Sequence, residues 1–349
     1  MPDAAVRYST SDDKIIELGE RAQKYGGILR GILDESHKRI TGQHHALERM
    51  LIGIITDGHV LVESVPGLAK TLMVKTMSQI FGADSVRIQF TPDLLPADII
   101  GTKIYAGRRG DGAGGTAAGS PFVTEKGPIF HSFVLADEIN RAPPKVQSAL
   151  LEAMQERQVS IHGDTYELGK PFLVFATQNP IENEGTYRLP EAQIDRFAMK
   201  LAMTYPTKEE EMEIISKNAA GSPGDAPAIS SPEEAAEMQG FCEGIYVDEL
   251  VSEYVTDVVR ATRDPDEYGI KGMSGTVELG ASPRASIWLV RTARGRALVN
   301  GRGFVTPEDV KEMAHDVLRH RIIPTFEAEE RGITPDAVIS GILEGISPP

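Results

Sequence analysis

Lys70 and Thr71 carry the most pointed chemistry in this chain of 349 residues. They follow a loop holding Pro66 and Gly67 and open a segment of helical character. A short apolar run, residues 59–63, leads into that loop. Strand, loop, lysine, hydroxyl and helix in that order describe a phosphate cradle. Backbone N–H groups and a helix N-terminus hold the phosphates, the lysine neutralises charge, and the hydroxyl helps to hold Mg²⁺. The generic spacing G-x-x-x-x-G-K-[ST] is met imperfectly, because Ser64 stands at its first glycine and Ala69 at its second. A chance turn before a helix has the same local features, so the rest of the chain has to decide.

The second reactive stretch is SFVLADEINRA, residues 132–142. Its apolar run suits a strand buried on both faces. It ends in Asp137 and Glu138, at the edge of a sheet where α/β proteins bind ligands. After a phosphate loop, one such acid coordinates Mg²⁺ and the other polarises the attacking water. Strands also end in acidic caps for purely local reasons. A third buried strand, FLVFATQNP, ends in Thr177, Gln178 and Asn179, and the following EGTYRLPEAQIDRF carries Glu191, Asp195 and Arg196. Arg284, in GASPRA, stands at a helix start, where a cation meets the positive dipole end. An anionic ligand would explain it, and so would ordinary exposure.

The elements that must position these residues alternate. Apolar strands ending in polar groups are separated by helices, the βαβ pattern of a mostly parallel sheet. The fold expected is α/β, a parallel nucleotide-binding core followed by a smaller all-α domain in which only helices are evident. Residues 1–10 read as a loose tail and 11–36 as a helix weakened by Gly26 and Gly27. A short helical turn is expected between Pro92 and Pro96, and a hairpin over 159–168 turning on Gly163–Asp164. His44 and His45 are adjacent on a helix and diverge, which argues against a shared metal. GRRGDGAGGTAAG, residues 107–119, contains Gly110, Gly112 and Gly115 in a G-x-G-x-x-G array. With no strand before it and no helix after it, it reads as the tip of an insertion and not as a dinucleotide loop.

Hydrophobic residues make up 41% and charged residues 25%, as in an ordinary globular protein. A net charge of −15 argues against a surface devoted to nucleic acid. Cys242 is the only cysteine, so no intrachain disulfide forms. No signal peptide or membrane span is legible, and a soluble cytoplasmic protein is expected.

With these pieces in order, the sequence resembles the AAA+ ATPases, and within them the MoxR group. VPGLAKT (65–71) resembles that group's Walker A segment, where Ala69 is usual and Ser64 a departure. LADEINRAPP (135–144) resembles its Walker B, ATQNP (176–180) its sensor 1, LPEAQIDRF (189–197) its arginine-finger segment and GASPRA (280–285) its sensor 2. GPIF and TPDLLPADIIG also match, and the likeness covers roughly residues 38–325. It implies an N-terminal helical extension over 1–37, an AAA+ core over 38–206 and a helical lid over 207–349, with a linker near 218–232.

The resemblance also implies a P-loop NTPase with ATP and Mg²⁺ as its ligands. Gln43, Ser64, Val65, Pro66, Gly67, Leu68, Ala69, Lys70, Thr71 and Leu72 would surround the nucleotide, with residues 40–43 near the adenine. Thr71 and Asp137 would hold the metal. Glu138 would activate water, Asn179 position it, and Arg284 contact the γ-phosphate from the lid. Arg196 would reach a neighbouring subunit's ATP, which implies a homo-oligomeric, hexameric ring. The Gly-rich insertion and the 157–171 hairpin resemble loops that line a ring's pore. A chaperone-like or cofactor-inserting ATPase is implied, with an unknown protein client and a von Willebrand factor A-domain protein as partner. Two other readings remain. One is a nucleotide-binding assembly module that scarcely hydrolyses, given Ser64. The other is a DNA remodeller using Arg291, Arg294, Arg296 and Arg302, residues whose spacing equally suits a solvated face.

Overall fold

The computed structural model describes residues 5–105, 122–179, 186–219, 224–270 and 272–349, with side chains from residue 17 onward except at 218. The 107–119 array, Pro180 and residues 220–223 of the linker lie outside them. The chain opens with α1 (Ala5–Arg39) and α2 (His44–Ile55). The core then runs β1 (Val60–Glu63), α3 (Lys70–Ile80), β2 (Ser85–Gln89), α4 (Pro96–Ile100) and the hairpin β3 (Gly101–Tyr105) and β4 (Phe122–Lys126). It continues through β5 (Phe133–Asp137), α5 (Pro144–Glu156), the hairpin β6 (Gln158–Ile161) and β7 (Asp164–Glu167), β8 (Leu173–Gln178), α6 (Glu191–Ile194) and β9 (Met199–Ala202).

The central sheet is parallel throughout, in the order β2-β5-β8-β1-β9. The fold class is therefore the α/β arrangement expected. From β1 the chain goes to the far edge at β2, steps back through β5 and β8, and passes over β1 to β9. The C-terminal ends of β5, β8 and β1 thus lie side by side, where loops from a parallel sheet build sites. β5 is buried at every position and β8 at all but its last, which is why both read as unbroken apolar runs.

α7 (Lys208–Ala219) leads from the core to α8 (Pro232–Glu243) and α9 (Glu249–Ala261). The described part of the link between α7 and α8 is docked, not loose: Ile229 and Ser230 donate backbone N–H groups to the Ile80 carbonyl, and Ala226 donates to Gln79. After β10 (Val277–Leu279) come α10 (Pro283–Val299), α11 (Pro307–Leu318), β11 (Ile323–Pro324), α12 (Phe326–Glu330) and α13 (Pro335–Gly345). The second domain is thus not purely helical. β10 and β11 pair antiparallel, but with three and two residues they are too short to leave a periodic signal.

Other expectations shift in detail. α1 begins at Ala5, inside the stretch read as a tail. Gly26 is a contact residue: a Cβ there would sit 2.6 Å from the Gly301 backbone, so α1 can lie against the end of α10 only without a side chain. The turn expected between Pro92 and Pro96 instead starts at Pro96, because proline pre-sets the φ of a first helical residue. The second hairpin turns on His162 and Gly163, both at positive φ. A strand, β3, does precede the 107–119 array; it pairs antiparallel with β4 outside the central sheet, so the dinucleotide-loop context is still not met.

One apolar cluster joins α1, α2, α3 and one face of the sheet to α8, α9, α10, α11 and α13. A second fills the opposite face beneath α5. A buried ionic knot reinforces the first: Asp316 on α11 accepts from Arg49 on α2 at 2.7 Å and from Arg319 at 2.6 Å. Burial alone would raise its pKa, but His45, Arg49 and Arg319 outweigh that and hold the carboxyl down at about 2.

Candidate active site

The phosphate loop spans from the end of β1 to the first turn of α3. Ser64 is buried and donates its backbone N–H to the Gln178 carbonyl on β8. Its φ is not positive, so a Cβ there costs no backbone strain. Ala69 is the residue under strain: it caps α3 at φ 55°, ψ 22°, the left-handed region that disfavours any side chain. Gly67 has φ 87°, and a Cβ built on it would meet nothing within 4 Å, so the loop curls around open space. Ala69→Gly is expected to stabilise the chain by about 1 kcal/mol or less, and Ser64→Gly to bring no gain, both checked by thermal and denaturant melts.

Beside the loop lies a cavity of about 360 Å³ lined by Thr41, Gln43, Pro66, Gly67, Leu68 and Ala69 and closed by Tyr205, Pro206, Ile214 and Ile215. Gln43 holds a left-handed conformation at the start of α2, and its amide donates to the Thr204 carbonyl at 3.0 Å. An apolar cleft continuous with the phosphate loop suits a flat base attached to phosphates. Lys70 makes no ion pair or hydrogen bond among the described residues, so its ammonium is available to an anion. Thr71 and Leu72 follow it on α3, both exposed, and Val65 packs on the core. Sequence reasoning missed Tyr205, Ile214 and Ile215; Tyr-Pro after a last strand is its only trace.

Asp137 and Glu138 end β5, one strand away from the loop's own neighbour, β8. The Asp137 carboxylate accepts from Thr177 Oγ1 at 2.6 Å on one oxygen and from Arg87 at 2.7 Å on the other. Glu138 stands at φ 58°, ψ 50°, a left-handed geometry held by its N–H donating to Thr177 Oγ1 at 2.8 Å. Such a strained residue persists only where its surroundings over-determine it, and these concentrate at functional sites. Its carboxylate accepts from Gln89 Nε2 at 2.8 Å and Arg141 at 2.9 Å. Asn179, buried, follows the end of β8 between the acids and the loop. Phosphate loop, acids and amide therefore converge. The metal donors expected, a hydroxyl and a carboxylate, are oxygen ligands of the kind Mg²⁺ prefers. Asp137 already sits against a cation, so its surroundings suit positive charge.

Arg196 and Arg284 lie elsewhere. They line a cavity of about 290 Å³ with Asp57, His59, Arg157, Trp288 and Arg291. His59 immediately precedes β1, so this cavity is at the N-terminal edge of the sheet, opposite the phosphate loop that follows Glu63. Asp195 links the two arginines' elements. It accepts from Arg321 at 2.7 Å and from Ser282, the N-cap of α10, at 3.0 Å, with Arg284 at 3.6 Å. Burial draws the Arg321 guanidinium down to about 10 against the opposing pull of Asp195. Arg196 donates one N–H to the Leu151 carbonyl at 3.0 Å, and its buried Nε has no partner among the described residues. Arg284 and Arg291 are seven residues apart on α10 and share a face. His59 is no acid–base group: burial, then Arg157, holds it well below its usual pKa, and both ring nitrogens are spent on Met154 and Val174.

Of the four arginines that the DNA-remodelling reading uses, two are held in ion pairs. Arg296 pairs with Glu48 and Glu312, and Arg302 with Asp309. His45 pairs with Asp316, while His44 meets His37 at 3.2 Å.

Known proteins share this sequence pattern and this fold. Residues 59–199 match the model of the ATPase family associated with various cellular activities (AAA), and residues 273–342 match the AAA lid domain. The chain is 49% identical over 321 residues to the chaperone MoxR1 of Mycobacterium tuberculosis, covering 92% of this chain and 82% of that protein. It is 39% identical to the uncharacterized protein YeaC of Bacillus subtilis, over 92% of this chain and 95% of the other. Protein MoxR of Methylorubrum extorquens is 30% identical, with 90% and 93% covered. Among solved structures, a candidate ATPase from Cytophaga hutchinsonii superposes with a TM-score of 0.87 at 45% identity, over 96% of this chain and 98% of that one.

Proposed function

Because the chain belongs to the MoxR group of AAA ATPases, we propose that it hydrolyses ATP at subunit interfaces of a homo-oligomeric ring and uses the cycle to remodel a protein client. The observation that carries this reading is the separation of two half-sites. The loop, Asp137, Glu138 and Asn179 gather at one edge of the sheet, and Arg196 and Arg284 at the other. Arginines on the far edge line a cavity separate from their own loop, and in a head-to-tail ring they can serve a neighbour's phosphates. The resemblance makes that ring a hexamer.

Lys70 and the loop amides hold the β- and γ-phosphates, and the cleft under Tyr205 takes the base. Thr71 and Asp137 would hold Mg²⁺, which supplies charge neutralisation across the phosphates. Glu138, released from Gln89 and Arg141, takes a proton from the water whose oxygen bonds to the γ-phosphorus as the bond to the β–γ bridging oxygen breaks. Asn179 orients that water. Arg196 and Arg284 of the neighbouring subunit offset the developing charge.

Client contact is assigned to the two hairpins. Tyr105 and Phe122 are 67% and 51% exposed at the end of the β3–β4 hairpin. Lys103 pairs with Asp164 at 2.7 Å and Thr124 bonds Tyr166 at 2.7 Å, so the two hairpins are tied to each other. A von Willebrand factor A-domain protein is the partner class implied. The test is mass photometry with and without ATP, beside phosphate release with and without Mg²⁺. Assembly with metal-dependent release is expected. Assembly on ATP without hydrolysis would favour a nucleotide-binding assembly module instead.

A further inference from the structure

Strand β2 brings two polar side chains to the acids of β5. Gln89 is registered opposite Asp137 and Arg87 opposite Leu135, so the two side chains, two residues apart, share a face. Arg87 reaches Asp137 Oδ2 through Nε at 3.0 Å and Nη2 at 2.7 Å. The same Nη2 donates to Gln89 Oε1 at 2.5 Å, and Gln89 Nε2 donates to Glu138 Oε2 at 2.8 Å. Thr177 takes the other Asp137 oxygen. An unbroken chain thus runs from the carboxylate read as a metal ligand to the carboxylate read as the base. The two partners of its ion pair differ in freedom. The Arg87 side chain is 50% exposed and can swing into water, whereas Asp137, at 10%, cannot.

We propose that Arg87 is a stand-in cation on Asp137, a positioning residue that must yield Oδ2 to Mg²⁺ and thereby sets the metal affinity of the nucleotide site. The physical reason is charge. A bare carboxylate facing a triphosphate repels it, and the guanidinium relieves that repulsion until the metal arrives. When Arg87 leaves, Gln89 loses the donor that fixes its amide, and Glu138 loosens only at a metal-loaded site. The inference rests on Thr71 and Asp137 being the metal's ligands.

Removing Arg87 therefore acts with opposite signs on two equilibria, which a merely structural role would not produce. In the full chain, Mn²⁺ is titrated in the presence of AMP-PNP, with free Mn²⁺ read by electron paramagnetic resonance. AMP-PNP binding is measured separately in EDTA. Arg87→Gln is expected to tighten Mn²⁺ roughly threefold to tenfold and to weaken metal-free AMP-PNP by a similar factor. Arg87→Lys keeps the charge but not the fork that also holds Gln89, so both affinities are expected to fall between those of the parent and of Arg87→Gln. Arg87→Met repeats the test should Arg87→Gln not fold. Unchanged or weaker Mn²⁺ binding in a folded, nucleotide-binding variant overturns the proposal alone. If the parent chain binds no AMP-PNP with Mn²⁺, the nucleotide-site reading fails, and the proposal with it.

Discussion

Glu138→Gln is expected to bind ATP about as tightly as the parent chain and to assemble normally while losing turnover by about 10²–10⁴-fold, the usual contribution of a positioned general base. Glutamine keeps the length and planar end of the side chain, so the contacts that hold residue 138 in its left-handed conformation survive. Its backbone N–H still reaches Thr177 Oγ1. What it loses is the ability to take a proton. Arg141 and Gln89 both donate to the same Glu138 oxygen, and the amide oxygen of a glutamine can go on accepting there. Phosphate release measured beside binding of a fluorescent nucleotide separates the two properties. Turnover within about tenfold of the parent would remove Glu138 from the chemistry and leave it a strand cap.

Much of this site was legible because its residues are local. Lys70 and Thr71 follow their strand within ten residues, and Asp137 and Glu138 end a run whose burial on both faces leaves four apolar residues, Phe133 to Ala136, in line. The strain in the loop is hidden by side-chain types alone. Ser64 stands where glycine is usual, yet its backbone is not at positive φ. Ala69 looked harmless as a marker of the group, yet it is the one at φ 55°. Dihedrals belong to the folded loop and not to the motif.

Other features were illegible because they depend on distant pairing. Arg87 and Gln89 alternate on a strand with no special composition, and only the register of β2 against β5 brings them to the acids. The basic spacing of Arg291, Arg294, Arg296 and Arg302 gave no hint that Glu48 on α2 would capture Arg296. The position of Arg284 likewise follows from where α10 packs, against α1, α2 and α11, and from the Asp195 link to Ser282. A helix start near an arginine could announce an anion, but not whose anion.

That last point is open to a decisive measurement. Arg196→Ala and Arg284→Ala are each expected to lose turnover, the former by ~10³–10⁵-fold if it acts as a trans-supplied finger does. An Arg196→Ala subunit keeps its own Glu138, and a Glu138→Gln subunit keeps its arginines. Mixed one to one in a head-to-tail ring, roughly a quarter of the interfaces join an intact base to intact arginines, and activity should recover toward that fraction. The Arg284→Ala chain mixed with Glu138→Gln should recover likewise, because Arg284 shares the Arg196 cavity. Were Arg284 to act within its own subunit, that mixture would stay silent, since each nucleotide would lack either its lid arginine or its base. The pairing of Arg196→Ala with Arg284→Ala inverts the test. Two arginines offered by one subunit to the same neighbour leave every mixed interface short of one, so no rescue is expected. Rescue there would mean that the two arginines serve different nucleotides, and the half-site on the far edge of the sheet would have to be divided.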